Sequence, residues 1–114
     1  MDLKDLGFEY APVGLCMLEN RIIRGCNRQF AGTFGDGVDS FVDVPFAEFY
    51  ASPEDYESIG ARGLAAMRQT GRYSDERVMK RRSGELFWCR VRGQSRTPED
   101  PFQRGIWSVT DLSD

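Results

Sequence analysis

The chain contains no histidine. That removes the commonest metal ligand, the usual axial ligand of haem, and the usual general base, so Ser–His and Cys–His nucleophilic chemistry has no proton acceptor. Cysteine is scarce. Cys16, Cys26 and Cys89 form no C-x-x-C pair, and their odd number sets no disulfide framework. No apolar run approaches the roughly 18 residues of a membrane-spanning helix. The acidic start, Met1 to Asp5, has no apolar signal core. The cytosol is the expected compartment. A phosphate loop of the form G-x-x-x-x-G-K-[ST] is absent, as are the aromatic signature of an RNA-binding sheet, internal repeats and low-complexity tracts.

What is present fits one domain of 114 residues, with 40% hydrophobic and 12% aromatic residues, enough for a modest core and outside disordered compositions. The formal charge of −3 is unevenly placed, because residues 72–96 carry eight Arg/Lys against three Asp/Glu. In an acidic chain this stripe reads as the solvated outer face of a sheet pairing with acidic helices, rather than as a nucleic-acid footprint.

Leu3, Leu6 and Tyr10 have helical spacing in a segment too short to stand alone, and Pro12 ends it. Gly14–Leu18 is a continuous apolar run, read as a buried strand; Glu19-Asn20-Arg21 is a turn, and Arg21–Cys26 returns as a second strand. Asn27 is a good helix N-cap, Phe30 and Phe34 share a face, and Gly35 or Gly37 can end that helix. Residues 36–50 are too apolar for a free loop and read as short helical turns closing over a pocket. Ser52-Pro53-Glu54-Asp55 starts a helix that runs to about Thr70 and stops at Gly71. Tyr56, Ile59, Gly63 and Met67 line its buried stripe, where Gly60 and Gly63 suggest close approach to a sheet. Three strands follow, Arg72–Arg82, Leu86–Thr97 and Arg104–Thr110, with a Ser83-Gly84 turn and a Pro98–Pro101 loop between them. The order of elements is that of an α+β fold with an antiparallel sheet and helices on one face.

Several motifs occur together. Ser83-Gly84-Glu85-Leu86-Phe87-Trp88 is a Gly turn leading into a strand with an aromatic pair. Asp111-Leu112-Ser113 closes the last strand. Ile23, Asn27 and Phe30 fit I-x-x-x-N-x-x-F. In this order and spacing they resemble a PAS domain over essentially the whole chain. The resemblance implies a PAS-like five-stranded antiparallel sheet with helices packed on one face, residues 1–12 being an N-terminal helix or cap and 13–114 a single domain. It also implies sensing or dimerisation rather than catalysis, in a bacterial cytoplasmic signalling protein.

Aligning the hairpin to the family puts Met79, Phe87, Cys89, Val91, Trp107 and Val109 on the inner sheet face. Phe34, Phe46, Tyr56, Ile59 and Met67 form the opposing wall. Either these side chains fill one another's space, or they enclose a small apolar ligand. Covalent flavin chemistry is not expected: Cys26 precedes Asn27 instead of following it, and the positions at which flavin-binding relatives carry amides hold Met79, Cys89 and Val109. Haem is not expected without histidine, and no metal site is. On the outer face Trp88, Arg90 and Arg92 form an aromatic–arginine patch, the kind enriched at contacts. With Leu3, Leu6 and Tyr10 they are the expected homodimer interface, the N-terminal helix covering the patch. Asp111 is the expected signal exit, either as a plain cap or as a coupling element paired with a nearby arginine.

By analogy with the family, an output module follows Asp114, most naturally a DNA-binding transcription regulator, and nucleic acid is met only through it. The alternatives are a ligand-free dimerisation module of a histidine kinase or cyclic-dinucleotide enzyme, and a small cone-shaped isomerase-like enzyme. The latter needs a buried acid, for which Asp75 or Glu76 is the nearest candidate.

Overall fold

The computed structural model describes residues 2–113; Met1 and Asp114, the outer ends of the two expected ranges, lie outside it. Helix α1 (Leu3–Glu9) leads into the hairpin β1 (Gly14–Glu19) and β2 (Ile22–Cys26). Helix α2 (Arg28–Phe34), two 3-10 turns (Val38–Phe41 and Phe46–Phe49) and the long helix α3 (Pro53–Thr70) follow. Strands β3 (Arg72–Lys80), β4 (Leu86–Ser95) and β5 (Gly105–Asp111) complete the chain. The sheet is antiparallel throughout, in the order β2-β1-β5-β4-β3. The α+β expectation and its five strands are therefore what the chain forms.

Element ends follow from local chemistry. Ser52 accepts a hydrogen bond from the Asp55 N–H, Pro53 occupies the first turn, and Gly71 closes α3 at φ 75°. Gly35 is the residue that ends α2, at φ 87°. The β3–β4 hairpin tightens two residues earlier than expected. The Arg81 N–H pairs with the Glu85 carbonyl, and Gly84 takes φ 94°. Arg82 instead donates its N–H to the Phe34 carbonyl, tying the hairpin to the end of α2.

The alternation of β4 puts Phe87, Cys89, Val91 and Gly93 inward and Trp88, Arg90 and Arg92 outward. Register then fixes the inner face of the neighbouring strands. Met79 faces Phe87, Arg77 faces Cys89 and Asp75 faces Val91, while Val109 lies beside Val91 and Trp107 beside Gly93. Trp107 lies flat on Gly93, so a Cβ there would sit 2.6 Å from three of its ring carbons. Over this face, Phe30, Phe34, Phe41, Phe46 and Phe49 are buried; Phe30, Phe34, Phe41 and Phe49 pair in tilted and edge-on contacts with ring centroids 4.7–5.7 Å apart, and Phe46 meets Tyr50 edge-on at 5.6 Å. The outer strands are pinned by bridges from the connecting segment, Ile22 to Pro45 and Tyr50 to Met79.

Asn27 joins three elements. Its Oδ1 accepts from the Leu15 and Phe30 N–H groups at 2.9 and 3.0 Å, and its Nδ2 donates to the Phe8 and Val13 carbonyls at 2.9 and 3.0 Å. Helix α1 is held there and by the Arg28–Glu9 pair. It does not lie over the outer sheet face: Leu3 is 85% exposed, and Trp88 remains 57% exposed.

Candidate functional site

The β1–β2 turn is made by Asn20 and Arg21, both left-handed at φ 51° and 64°. Arginine rarely adopts this conformation, and the turn is held by the Asn20 N–H donating to the Phe102 carbonyl at 2.8 Å. It sends the Arg21 guanidinium across the interior toward α3. There the guanidinium stacks 3.7 Å above the Tyr56 ring and 4.8 Å from that of Phe102. Gly60 makes room for it, since a Cβ at that position would come within 2.8 Å of Arg21 Nη1. Gly63 would meet Tyr73 only at an ordinary 3.6 Å. The two helix glycines thus admit an arginine and leave free space, rather than bringing α3 tightly onto the sheet as their spacing suggested.

Opposite Arg21, strand β3 points Tyr73, Asp75 and Arg77 inward, beside Met79. The Arg77 side chain is 3% exposed. Its Nε and Nη2 donate to the two Asp75 oxygens at 2.8 and 3.1 Å, and the Tyr73 hydroxyl also donates to Asp75, at 2.8 Å. Asp75 is thereby fully committed. Glu76 points outward and pairs with Arg90 at 3.0 Å. Neither carboxylate is a free buried acid. Burial opposes the charge on Arg77, but Tyr50 and Asp75 outweigh it and leave the guanidinium more firmly protonated than usual. Burial raises the Tyr73 hydroxyl, and its bond to Asp75 adds to the effect.

Between Arg21 and Arg77 lies Tyr50, whose hydroxyl is 3.4 Å from Arg21 Nη2. Beside it is an interior cavity of about 10 Å³, room for one water. Arg77 lines this cavity; its buried Nη1 has no hydrogen-bond partner, while the Tyr50 hydroxyl favours the charge on the same guanidinium. Of the ten expected ligand-contacting residues, Phe46, Ile59 and Trp107 line it. Phe34, Met67, Met79, Cys89, Val91 and Val109 are buried in the core cluster, and Tyr56 packs against that cluster while stacking on Arg21. The remaining wall comes from residues that the sequence reading did not assign to the site, chiefly Arg21, Tyr50, Tyr73, Arg77 and Phe102. One signal for them was available: period-two alternation from Met79 puts Arg77, Asp75 and Tyr73 on its side of β3.

All three thiols are buried. Burial pushes Cys26 up to about 11 and Cys89 up to about 12, and it raises Cys16 well above the ordinary thiol range. Among the described residues, no group of three or more His, Cys, Asp or Glu could hold a metal ion, and no helix is long and apolar enough to cross a membrane.

The outer face holds the larger concavity, about 630 Å³ and open to solvent, with Leu15, Arg72, Arg92 and Ile106 in its lining. Met17, Leu86, Trp88 and Ile106 are exposed apolar residues on the sheet.

At the far end of β5, Asp111 accepts from Arg81 Nη2 at 2.7 Å and from the Ser113 N–H at 2.8 Å. Arg81 also donates to Glu85 and to the Thr33 carbonyl, each at 2.6 Å. One guanidinium thus links the end of the last strand, the β3–β4 turn and α2.

The PAS domain family model matches residues 11–114. The sensor protein TdiS of Thauera aromatica is 28% identical over 94% of the chain, which spans only 20% of that relative's length. Among solved structures, the ethanol complex of the PAS domain of a LuxR-family transcriptional regulator from Burkholderia thailandensis is 37% identical, with TM-score 0.94 and full coverage of both chains. A PAS domain from Colwellia psychrerythraea, 16% identical, superposes with TM-score 0.85 over 96% of this chain and 93% of its own.

Proposed function

Because the chain belongs to the PAS domain family, we propose that it is the sensory part of a longer signalling protein, taking a small molecule into the interior beside Arg77. Pairing with a second copy of itself then controls an output module following Asp114, most naturally a DNA-binding transcription regulator. The observation that carries this reading is the buried Arg77, one of whose nitrogens has no hydrogen-bond partner, in the wall of an interior cavity. A relative 37% identical over its full length, the PAS domain of a LuxR-family regulator in complex with ethanol, supports both the ligand and the output class. The pairing surface is the open outer face around Trp88, Arg90 and Arg92, together with the exposed Leu3, Leu6 and Tyr10 of α1. We infer no catalysis, since Asp75 is held by three donors and Glu76 faces solvent.

Short alcohols, amides, ketones and acids tested for thermal stabilisation check the ligand. The melting temperature is expected to rise saturably with at least one of them, and the rise is expected to vanish when the methyl of Gly63→Ala takes up the free space. Light scattering with and without residues 1–10 checks the pairing, and a monomer in both forms refutes it. The cavity of about 10 Å³ favours one second reading, a ligand-free dimerisation module. A dimer that no solute stabilises is its signature.

A further inference from the structure

We propose that the molecule taken into the interior is a small carboxylate, with Arg77 Nη1 as its principal donor; this rests on the interior-ligand reading above and specifies its chemistry. The chain buries a guanidinium and leaves one of its nitrogens without an acceptor. Unpaired buried donors are rare in folded proteins because each forfeits its hydration. The Arg77 side chain that carries this orphan is part of the wall of the interior cavity.

The wall of that volume is one-sided in its chemistry. Arg21 and Arg77 both line it, with the hydroxyl-bearing Tyr50 and Tyr73, and no carboxylate does. Asp75 is engaged on the other edge of the Arg77 guanidinium, where Nε and Nη2 bind it side-on. The cluster therefore holds two positive charges against one negative. A monoanion would neutralise it and supply the missing acceptor together, with the charge-assisted geometry guanidinium groups favour. A neutral hydroxyl would supply only the acceptor. The rest of the lining, Leu18, Phe46, Ile59 and Trp107, is apolar and suits a short carbon chain.

Size sets the second half of the inference. The cavity holds one water, so an acid of two or three carbons enters only if part of the wall yields. The part with least support is the stacked pair Arg21 and Phe102, both only half-buried, Phe102 sitting on the loop between β4 and β5. The strands and α3 form the fixed side.

The test is a titration followed by amide NMR, with sodium formate, acetate and propionate compared with sodium chloride at equal ionic strength and with ethanol. Saturable shifts at Gly60, Gly63 and Tyr73 are expected with acetate or propionate and not with chloride. Affinity should fall about tenfold or more in the Arg77→Met/Asp75→Asn double variant, which removes the pair together and leaves no lone buried charge. Should that variant fail to fold, Gly63→Ala serves instead, and it is expected to abolish the shifts because its methyl, in ordinary contact with Tyr73 and Phe102, takes up the free space. Binding of ethanol with acetate silent overturns the carboxylate assignment while leaving the interior-ligand reading standing. Silence with every solute overturns both and assigns the cavity to a trapped water. Acetate shifts that survive both variants place the acid elsewhere on the surface and also overturn the proposal.

Discussion

Asn27 offers the most direct test of how this fold is assembled. It is fully buried, and all four of its side-chain hydrogen-bonding positions are used, toward Leu15, Phe30, Phe8 and Val13. Asn27→Ala removes an N-cap, a loss of about 1 kcal/mol. It also strands three further backbone groups, the Leu15 N–H and the Phe8 and Val13 carbonyls, each costing about 1–3 kcal/mol if no water reaches it. The vacated amide volume admits water to some of these, so a total of about 3–5 kcal/mol is expected. Against an ordinary domain stability of roughly 5–15 kcal/mol this is a large fraction, lowering the melting temperature by about 12–20 °C. Asn27→Asp separates the contributions. It keeps both acceptor contacts and the cap, but turns a carboxylate oxygen toward the Phe8 and Val13 carbonyls. Protonation restores one donor, so the folded-state pKa of the introduced acid is raised. Its stability is then full below the unfolded value near 4 and is lost as pH rises through the folded value. Urea unfolding followed by circular dichroism at pH 5 and pH 7 reads both effects. Repeating Asn27→Ala without residues 1–10 should reduce its cost by about 1 kcal/mol, the share belonging to the Phe8 carbonyl. A cost under 1 kcal/mol for Asn27→Ala, or an Asn27→Asp chain as stable at pH 7 as the parent, would refute the reasoning.

Two further outcomes are expected. The raised thiols, about 11 at Cys26, about 12 at Cys89 and well above the ordinary range at Cys16, make stability full below about pH 9 and lost as pH rises toward the folded values. A stability that falls steadily between about pH 9 and 11 is therefore expected in urea unfolding, and replacing Cys26 or Cys89 by Ser should flatten that alkaline limb. An aromatic disulfide reagent should modify none of the three at pH 8 until denaturant is added, and rapid native labelling would contradict their burial. At Asp111 burial pushes the carboxyl up, but Ser113 and Arg81 outweigh it and hold it below the usual range. Its contribution is therefore present above about pH 4 and lost as pH falls through the depressed value, and Asp111→Asn should flatten that acid limb. If the Arg81–Asp111 pair also couples the sheet to the output, Asp111→Ala should cost only about 1 kcal/mol in this domain yet lock or uncouple output in the full protein; ligand-dependent output unchanged in a folded mutant dismisses the coupling.

Local chemistry by itself determined much of this protein. The Ser52-Pro53 start and Gly71 stop of α3, the Asn27 cap, the Gly84 turn and the alternation of β4 each depend on neighbours within a few residues, and each appears where the sequence put it. Their order sufficed for the family and for the inner face of the sheet. The site was a different matter. Arg21 lies in a turn, Gly60 on a helix, Arg77 on an edge strand and Phe102 in a loop, and nothing within any of these segments marks them as neighbours. Composition suggested an apolar interior; the register between β3 and β4 and the left-handed turn at Arg21 made it partly charged instead. The position of α1 likewise could not be read from its apolar stripe. That stripe gives a face needing cover, while the Asn27–Phe8 bond, made across 19 residues, holds the helix beside α2 and leaves Trp88 exposed. Periodicity encodes which way a side chain points; which side chains meet, and whether a buried guanidinium finds all its acceptors, is settled only when distant segments close on one another.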